Sequence, residues 1–278
     1  MPPTAAGTTA APAVLVGTSG WSYAHWRGRF YPRGLPSGDW LRYYATRLPT
    51  VELNATFYRL PSPRAVARWR ESAPPAFSFA VKMSRLVTHA RRLSGVEEPV
   101  ASFVERLSAL GPALGPSLVQ LPPAFPPDVA RLDSFLEDLL AGLAANRSPE
   151  QDTRADVAVE FRDDRWFRHE TYAALRARGA AFCISDLGGR EWPHVVTAPL
   201  VYVRLHGPDR PYAGSYSDEA LERWAEICRD WRREGHEVRV YFDNDEAGYA
   251  AANAEHLLSL IATDDLTAGR NAGLTEES

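Results

Sequence analysis

The sequence predicts one α/β domain, an eight-stranded TIM-like β/α barrel. Three observations predict it. Eight short apolar runs recur along the chain, longer stretches of helical periodicity alternate with them, and 278 residues suit a single barrel. The runs are Val14 to Ser19, Thr50 to Asn54, Phe77 to Lys82, Ser117 to Leu121, Asp156 to Phe161, Ala180 to Asp186, Leu200 to His206 and Val238 to Asp243. The rival arrangement for such alternation is a doubly wound open sheet.

The helices follow from spacing and caps. Between Arg131 and Leu143, residues Leu132, Phe135, Leu136, Leu139, Leu140 and Leu143 fall on one helical face. Ser62 and Pro63 open a helix towards Glu71, proline being tolerated in the first turn. Ser217 and Asp218 start another, with Leu221, Trp224, Cys228 and Trp231 on its inner face and Gly235 as a left-handed cap. Only 13 residues separate Asp186 from Leu200, with Gly188, Gly189 and Pro193 among them. A sixth helix does not fit there, so the barrel is expected to carry a loop or a single turn instead.

Residues 1–13 lack a basic start and a strongly apolar run, so they read as a loose tail, neither signal peptide nor anchor. The polar stretch Thr263 to Ser278 reads as a second loose tail, which leaves residues 14–262 for the barrel. No run approaches the roughly 18 apolar residues that span a bilayer. Cys183 and Cys228, the only two cysteines, sit among apolar residues and read as buried thiols, so a reducing, cytoplasmic setting is expected with no membrane partner. The net charge of −4 argues against a protein that coats duplex nucleic acid, although it leaves room for a local basic patch.

A β/α barrel gathers the loops after its strands on one face, so polar strand ends converge there. Strand two ends in Glu52 and Asn54, strand three in Lys82, strand four in Gln120, strand five in Glu160 and Arg162. Strand six ends in Asp186, strand seven in Arg204 and His206, strand eight in Asp243 and Asn244. An inward charge costs several kcal/mol unless paired, so this many at one end point to a site. The bland alternative is a ring of salt bridges that closes the mouth. Loops add Trp21, Tyr23, His25, Trp26, Arg27 and Arg29 after strand one, Arg85, His89, Arg91 and Arg92 after strand three, and Arg210, Tyr212 and Tyr216 after strand seven. Basic groups among aromatics suit a ligand with phosphate or carboxylate charge and a flat ring. Tyr31, Trp40 and Trp69 read instead as loop packing. The sequence has no GxGxxG, GxxxxGK[ST], HExxH or GxSxG, and one strand-end histidine does not make a histidine-rich zinc cluster.

The runs GTSGWSYAHWRGRFYP, TVELNATFYRLP, FAVKMSRLVTH, SLVQLPPAF, VAVEFRDDRWF, YVRLHG and YFDND, in this order, resemble the family called domain of unknown function 72. The resemblance extends from about Val14 to about Ile261 and implies a β/α barrel. It implies no activity. The family's motifs correspond here to Gly20, Trp21, Glu52, Asn54, Tyr58, Lys82, His89, Gln120, Glu160, Arg162, Asp186, Arg204, His206, Gly207 and Asn244.

The function expected first is an enzyme acting on a phosphate-bearing, nucleic-acid-related substrate, with metal-assisted phosphodiester hydrolysis by analogy with barrel nucleases such as endonuclease IV. In it Glu160, Asp186 and Asp243 hold a divalent Mg²⁺, Mn²⁺ or Zn²⁺ or act as base, His206 moves protons, and Lys82, Arg162 and Arg204 neutralise the phosphate. Glu52 completes the catalytic set. Trp21, Tyr23, Asn54, Tyr58, His89, Gln120 and Asn244 are expected to contact the substrate. A second reading is glycoside hydrolysis by Glu52 and Glu160 with Trp21 or Trp26 under the sugar. A third is a protein that binds a small anion without turnover.

Overall fold

Alternate residues of each apolar run face opposite ways, and in this chain both directions are buried. The computed structural model describes residues 13–147, 156–187 and 189–272, with side chains as far as Thr263. Its strands are β1 Val14–Ser19, β2 Thr50–Leu53, β3 Ser78–Lys82, β4 Leu114–Gln120, β5 Val157–Glu160, β6 Ala181–Leu187, β7 Arg190–Glu191, β8 Leu200–Leu205 and β9 Glu237–Phe242. Parallel pairing runs from β1 through β2, β3, β4, β5, β6, β8 and β9 and back to β1, which closes an eight-stranded barrel.

Outward residues such as Val16, Val51, Phe79, Val159, Ile184 and Val240 form the larger apolar layer against the helices. Inward residues form a second, smaller cluster that includes Ala80, Leu118, Ala158, Ala181, Cys183, Tyr202 and Tyr241. Three alanines leave the lumen wide enough for two tyrosine rings, whose centroids lie 5.0 Å apart. Each hydroxyl is spent on a polar partner, as buried tyrosines require: Tyr241 on Thr50 Oγ1 at 2.9 Å and Tyr202 on Glu52 Oε2 at 2.8 Å. Arg239 plugs the opposite end, donating to Glu237 Oε1 and Ser78 Oγ, both at 2.6 Å.

The helices are α1 Trp40–Tyr44, α2 Ala55–Tyr58, α3 Pro63–Ser72, α4 Glu97–Ser108, α5 Val129–Ala145, α6 His169–Arg178, α7 Asp218–Arg233 and α8 Tyr249–Ala272. The Asp128 side chain caps α5 on Arg131 N at 3.0 Å, and α5 buries Leu132, Phe135, Leu136, Leu139 and Leu143, with Leu140 half-buried at the edge. Ser62 caps α3 with Pro63 in its first turn. Ser217 caps α7, which buries Leu221, Trp224, Cys228 and Trp231. Gly235 reverses the chain at φ +94°, and the N–H of His236 reaches back to Trp231 O at 3.0 Å. Both cysteines are buried, and burial pushes the Cys228 thiol up to about 12.

Three details depart from the sequence reading. β4 begins at Leu114, earlier than the apolar run, because Gly115 and Pro116 carry no strand signal. Gly115 is needed where it stands, since a Cβ would lie 2.5 Å from Ser78 Oγ. Between β6 and β8 the described residues hold no helix, and the connection doubles back through β7, antiparallel to β6 with Glu191 opposite Asp186. Finally, α8 continues as helix to Ala272, past the polar boundary at Thr263. The tail residues 1–12 and 273–278 lie outside the described residues. Among the described residues no helix is long and apolar enough to cross a membrane.

Candidate active site at the barrel mouth

Arg204 sits one pleat above Tyr202 on β8, inside the barrel and fully buried. A guanidinium there must spend its N–H groups on protein. Nε and one terminal nitrogen grip Glu52 bidentately at 3.0 and 2.7 Å, and the same nitrogen reaches Ser19 Oγ and Asp243 Oδ2, each at 3.0 Å. The other terminal nitrogen donates to Glu160 Oε2 at 2.8 Å. Glu160 and Arg204, expected to meet from strands five and seven, are therefore in direct contact. Ser19 also donates to Glu52, and Asn54 Nδ2 donates to Ser19 Oγ at 2.6 Å.

Around this centre stands a second set. Arg162 donates to Glu160 Oε1 at 2.7 Å. His206 Nε2 lies 3.1 Å from Arg162 Nη2, 3.2 Å from Arg204 Nη1 and 3.2 Å from Glu160 Oε1. Nε2 thus stands among two guanidinium donors and one carboxylate acceptor. Nδ1 points to Asp243 Oδ2 at 3.1 Å, out of line for a full hydrogen bond. Burial alone would raise the pKa of Glu160, but Arg162, Arg204 and the His206 contact outweigh it and hold the carboxyl well below its usual range. Asp243 is lowered in the same way, burial being overcome by Arg204, His206 and Lys82.

Lys82 ends β3 and is 8% exposed. No carboxylate lies within ion-pair distance of it among the described residues. Its ammonium lies 4.6 Å from the Phe57 ring centroid. Thr56 fastens α2 to the strand end by donating to Lys82 O and Leu53 O, both at 2.7 Å, and this sets Phe57 over the amine. His89 packs on the other edge of Phe57 at 5.1 Å between centroids. Burial, then Lys82, Arg85 and Arg162, lowers the pKa of His89.

The remaining predicted residues divide into rim and wall. Tyr58 is 78% exposed at the rim, and Gln120 is half-buried beside Glu160 in the paired register. Gly20, at φ +91°, turns the chain off β1, and a Cβ there would lie 2.5 Å from the Tyr23 hydroxyl. That hydroxyl donates to Ser19 O at 2.6 Å. Trp21 stands edge-on to Trp69 at 5.9 Å, while Tyr31 stacks on Trp40 at 4.8 Å. Asn244 is a wall residue, donating to Gly214 O and Asn253 Oδ1 at 2.8 Å.

The three carboxylates expected to share a metal ion do not converge. Asp186 Oδ1 accepts the backbone N–H of His206 at 2.7 Å and Oδ2 accepts the Tyr216 hydroxyl at 2.6 Å, so it holds the loop after β8. Glu160 and Asp243 are given over to arginine and histidine. Among the described residues no group of three or more His, Cys, Asp or Glu side chains has the arrangement to hold a metal ion. A groove of 720 Å³ between α4 and α5, lined by Val100, Val104 and Phe135 among others, lies on the flank and includes none of the strand-end residues.

Sequence reasoning passed over Ser19 and Tyr202. Ser19 occupies the same strand-end position as the residues chosen, and Tyr202 lies two residues before Arg204 on the inward face. Period-two counting back from Arg204 finds Tyr202, and the strand-end rule alone finds Ser19.

Residues 15–274 match the family model described as a protein of unknown function, DUF72. The chain belongs to the DUF72 family. Among relatives, the UPF0759 protein YunF of Bacillus subtilis is 26% identical over 89% of this chain and 94% of its own length. The UPF0759 protein YecE of Escherichia coli is 34% identical over 45% of this chain, and that match spans 44% of its own length, less than half of this curated relative. The crystal structure of a DUF72 protein from Thermotoga maritima superimposes with a TM-score of 0.75 at 30% identity, covering 90% of this chain and 99% of that one. The DUF72 barrel and the sequence-based resemblance thus agree.

Proposed function

We propose that this DUF72 chain is an enzyme whose substrate carries a phosphate or similar anion, seated at the C-terminal mouth of the barrel. One observation carries the reading. The Arg162 side chain is 7% exposed, yet among the described residues its Nε has no hydrogen-bond partner, and the same mouth holds Lys82, 8% exposed, with no carboxylate in ion-pair distance. A buried N–H without a partner costs roughly 1 to 3 kcal/mol, which an anion entering the mouth removes. Asn54 Oδ1, also buried and unpartnered, offers an acceptor to the same ligand. His206, its Nε2 against Glu160 and its Nδ1 facing Asp243, is the group suited to proton transfer.

The geometry favours this over the two nearest alternatives. Metal-assisted hydrolysis needs free carboxylate oxygens, and here Arg204 and Arg162 occupy both oxygens of Glu160, and Arg204 takes Oδ2 of Asp243. Glycoside hydrolysis needs one carboxyl held protonated, whereas Glu160 is held ionised and Glu52 is bound bidentately to Arg204.

Thermal melts with millimolar inorganic phosphate, pyrophosphate and sugar phosphates test the anion seat. The expected result is a rise of a few degrees, roughly 1 kcal/mol of linkage, lost in Arg162→Met. No rise with any of these anions overturns the proposal. Turnover of 4-nitrophenyl phosphate esters, or its absence, separates an enzyme from a binder.

A further inference from the structure

Lys82 is the only lysine in the chain; the other 30 of its 31 basic side chains are arginine. The single primary amine on any side chain stands at a strand end of the barrel mouth, 8% exposed, with no carboxylate in ion-pair distance among the described residues. Arginine serves wherever this chain needs a fixed charge, a surface ion pair or a carboxylate clamp, as Arg204, Arg162 and Arg239 do. It cannot serve as a nucleophile, because it does not lose its proton in proteins. Lysine can. An amine buried at a strand end, with no carboxylate in ion-pair distance among the described residues, is the arrangement that frees a nitrogen lone pair.

We propose that Lys82 is a covalent nucleophile that forms an imine with a carbonyl carbon of the substrate, which makes the substrate a phosphorylated or otherwise anionic aldehyde or ketone. The proposal rests on the anion seat described above and adds the reacting group. In the step, the Lys82 nitrogen adds to the carbonyl carbon and the C=O π electrons move to oxygen. That oxygen takes the proton that nitrogen gives up, through the ionisable groups of the same mouth. The resulting carbinolamine then expels water as the nitrogen lone pair forms the C=N bond. Amine plus carbonyl gives imine plus water, with no oxidant or reductant consumed.

The surroundings agree with the role. Burial first, and then Arg204, lowers the Lys82 pKa against the opposing pull of Glu52, Glu160 and Asp243, and His89 lies close enough to feel the Lys82 charge. Thr56 pins the backbone carbonyl of Lys82 and so fixes the direction in which the amine leaves the strand.

The scarcity of lysine makes the test clean. The full chain is incubated at pH 7 with dihydroxyacetone phosphate and sodium cyanoborohydride, which reduces an imine to a stable secondary amine, and labelled sites are read by peptide mass spectrometry. The chain offers two primary amines, Lys82 and the N-terminal α-amine. With ordinary pKa values of about 10.4 and 8, a plain lysine would label on the order of a hundredfold more slowly than the α-amine. The expected result is the reverse, Lys82 labelled at least as fast, with dihydroxyacetone lacking the phosphate labelling it more slowly. Label on the α-amine with none on Lys82 overturns the proposal. Lys82→Arg loses the adduct while keeping the phosphate-induced rise in melting temperature. A chain that shows the rise without the adduct retains the anion seat and loses the nucleophile, and a chain that shows neither loses both.

Discussion

Glu160 is the residue on which the two halves of the site depend. It is fully buried and accepts from Arg162 and Arg204 while touching His206, so its charge offsets that of two guanidiniums. Glu160→Gln keeps the volume and one accepting oxygen but removes the charge. Glu52 and Asp243 still face Arg204, so the expected cost is the lower end of that for breaking a buried pair, about 3 kcal/mol, read as a lower urea midpoint at unchanged slope. A midpoint within about 0.5 kcal/mol of the parent, the range of ordinary surface changes, would remove Glu160 from the support of the fold. The sequence alone placed Glu160 and Arg204 at one mouth because both end inward-facing runs. It could not show that three carboxylates share one guanidinium, since which strand ends touch depends on barrel closure and stagger. The expected metal trio failed for that reason: Asp186 ends a strand like the others, yet its carboxylate is taken by Tyr216 and a backbone N–H from across a loop.

The connection from β8 to α7 carries that loop, and it is built around Gly207. Its φ is +124°, its N–H donates to the Tyr216 hydroxyl at 2.8 Å, and a Cβ would lie 2.6 Å from Arg210 O and closer still to Ala213 O. Both obstacles are backbone, so neither yields by rotating a side chain. Gly207→Ala is expected to cost about 2 kcal/mol or more and to displace Tyr216 from Asp186, measurable as a lower urea midpoint together with weakened phosphate binding. Retention of both would mean the loop accommodates a side chain by another path. Tyr212, in the same loop, holds φ +64° and meets the His206 ring edge-on at 5.4 Å between centroids. Elements of this kind are where sequence reading runs out. The eight barrel strands announce themselves through apolar runs, and α5 and α7 through a 3.6-residue stripe. By contrast β7 is two exposed charged residues, Arg190 and Glu191, whose pairing comes from the chain doubling back on β6 and not from any pattern of their own.

Across the whole molecule, the barrel is closed at both ends by buried arginines, Arg239 at the floor and Arg204 at the mouth, and each depends on ionised carboxylates. That dependence sets the response to acid. Glu160 and Asp243 have folded-state pKa values below those of the unfolded chain, so their contribution to stability is fully present above the unfolded values of roughly 4.3 and 3.9 and is lost as pH falls towards the folded ones. Asp186 acts oppositely, because burial raises its pKa in the fold, so its contribution is present at low pH and lost as pH rises through the folded value. Among these three mouth carboxyls, two lowered, one of them far, outweigh one raised. His89, whose pKa burial lowers, adds stability that is present above the unfolded histidine value and lost as pH falls towards the folded one, so stability from urea melts is expected to decline gently below about 6.5 and steeply below about 4.3. Each carboxyl that is ionised in the native state and protonated in the unfolded one adds up to about 1.4 kcal/mol per pH unit to that slope. Glu160→Gln removes one such group, so below pH 4 its slope should be shallower than the parent's by up to that amount even though its stability at pH 7 is lower. Parallel acid slopes for parent and variant would mean that Glu160 is protonated in both states at low pH, and that the arginines at the mouth do not hold its charge.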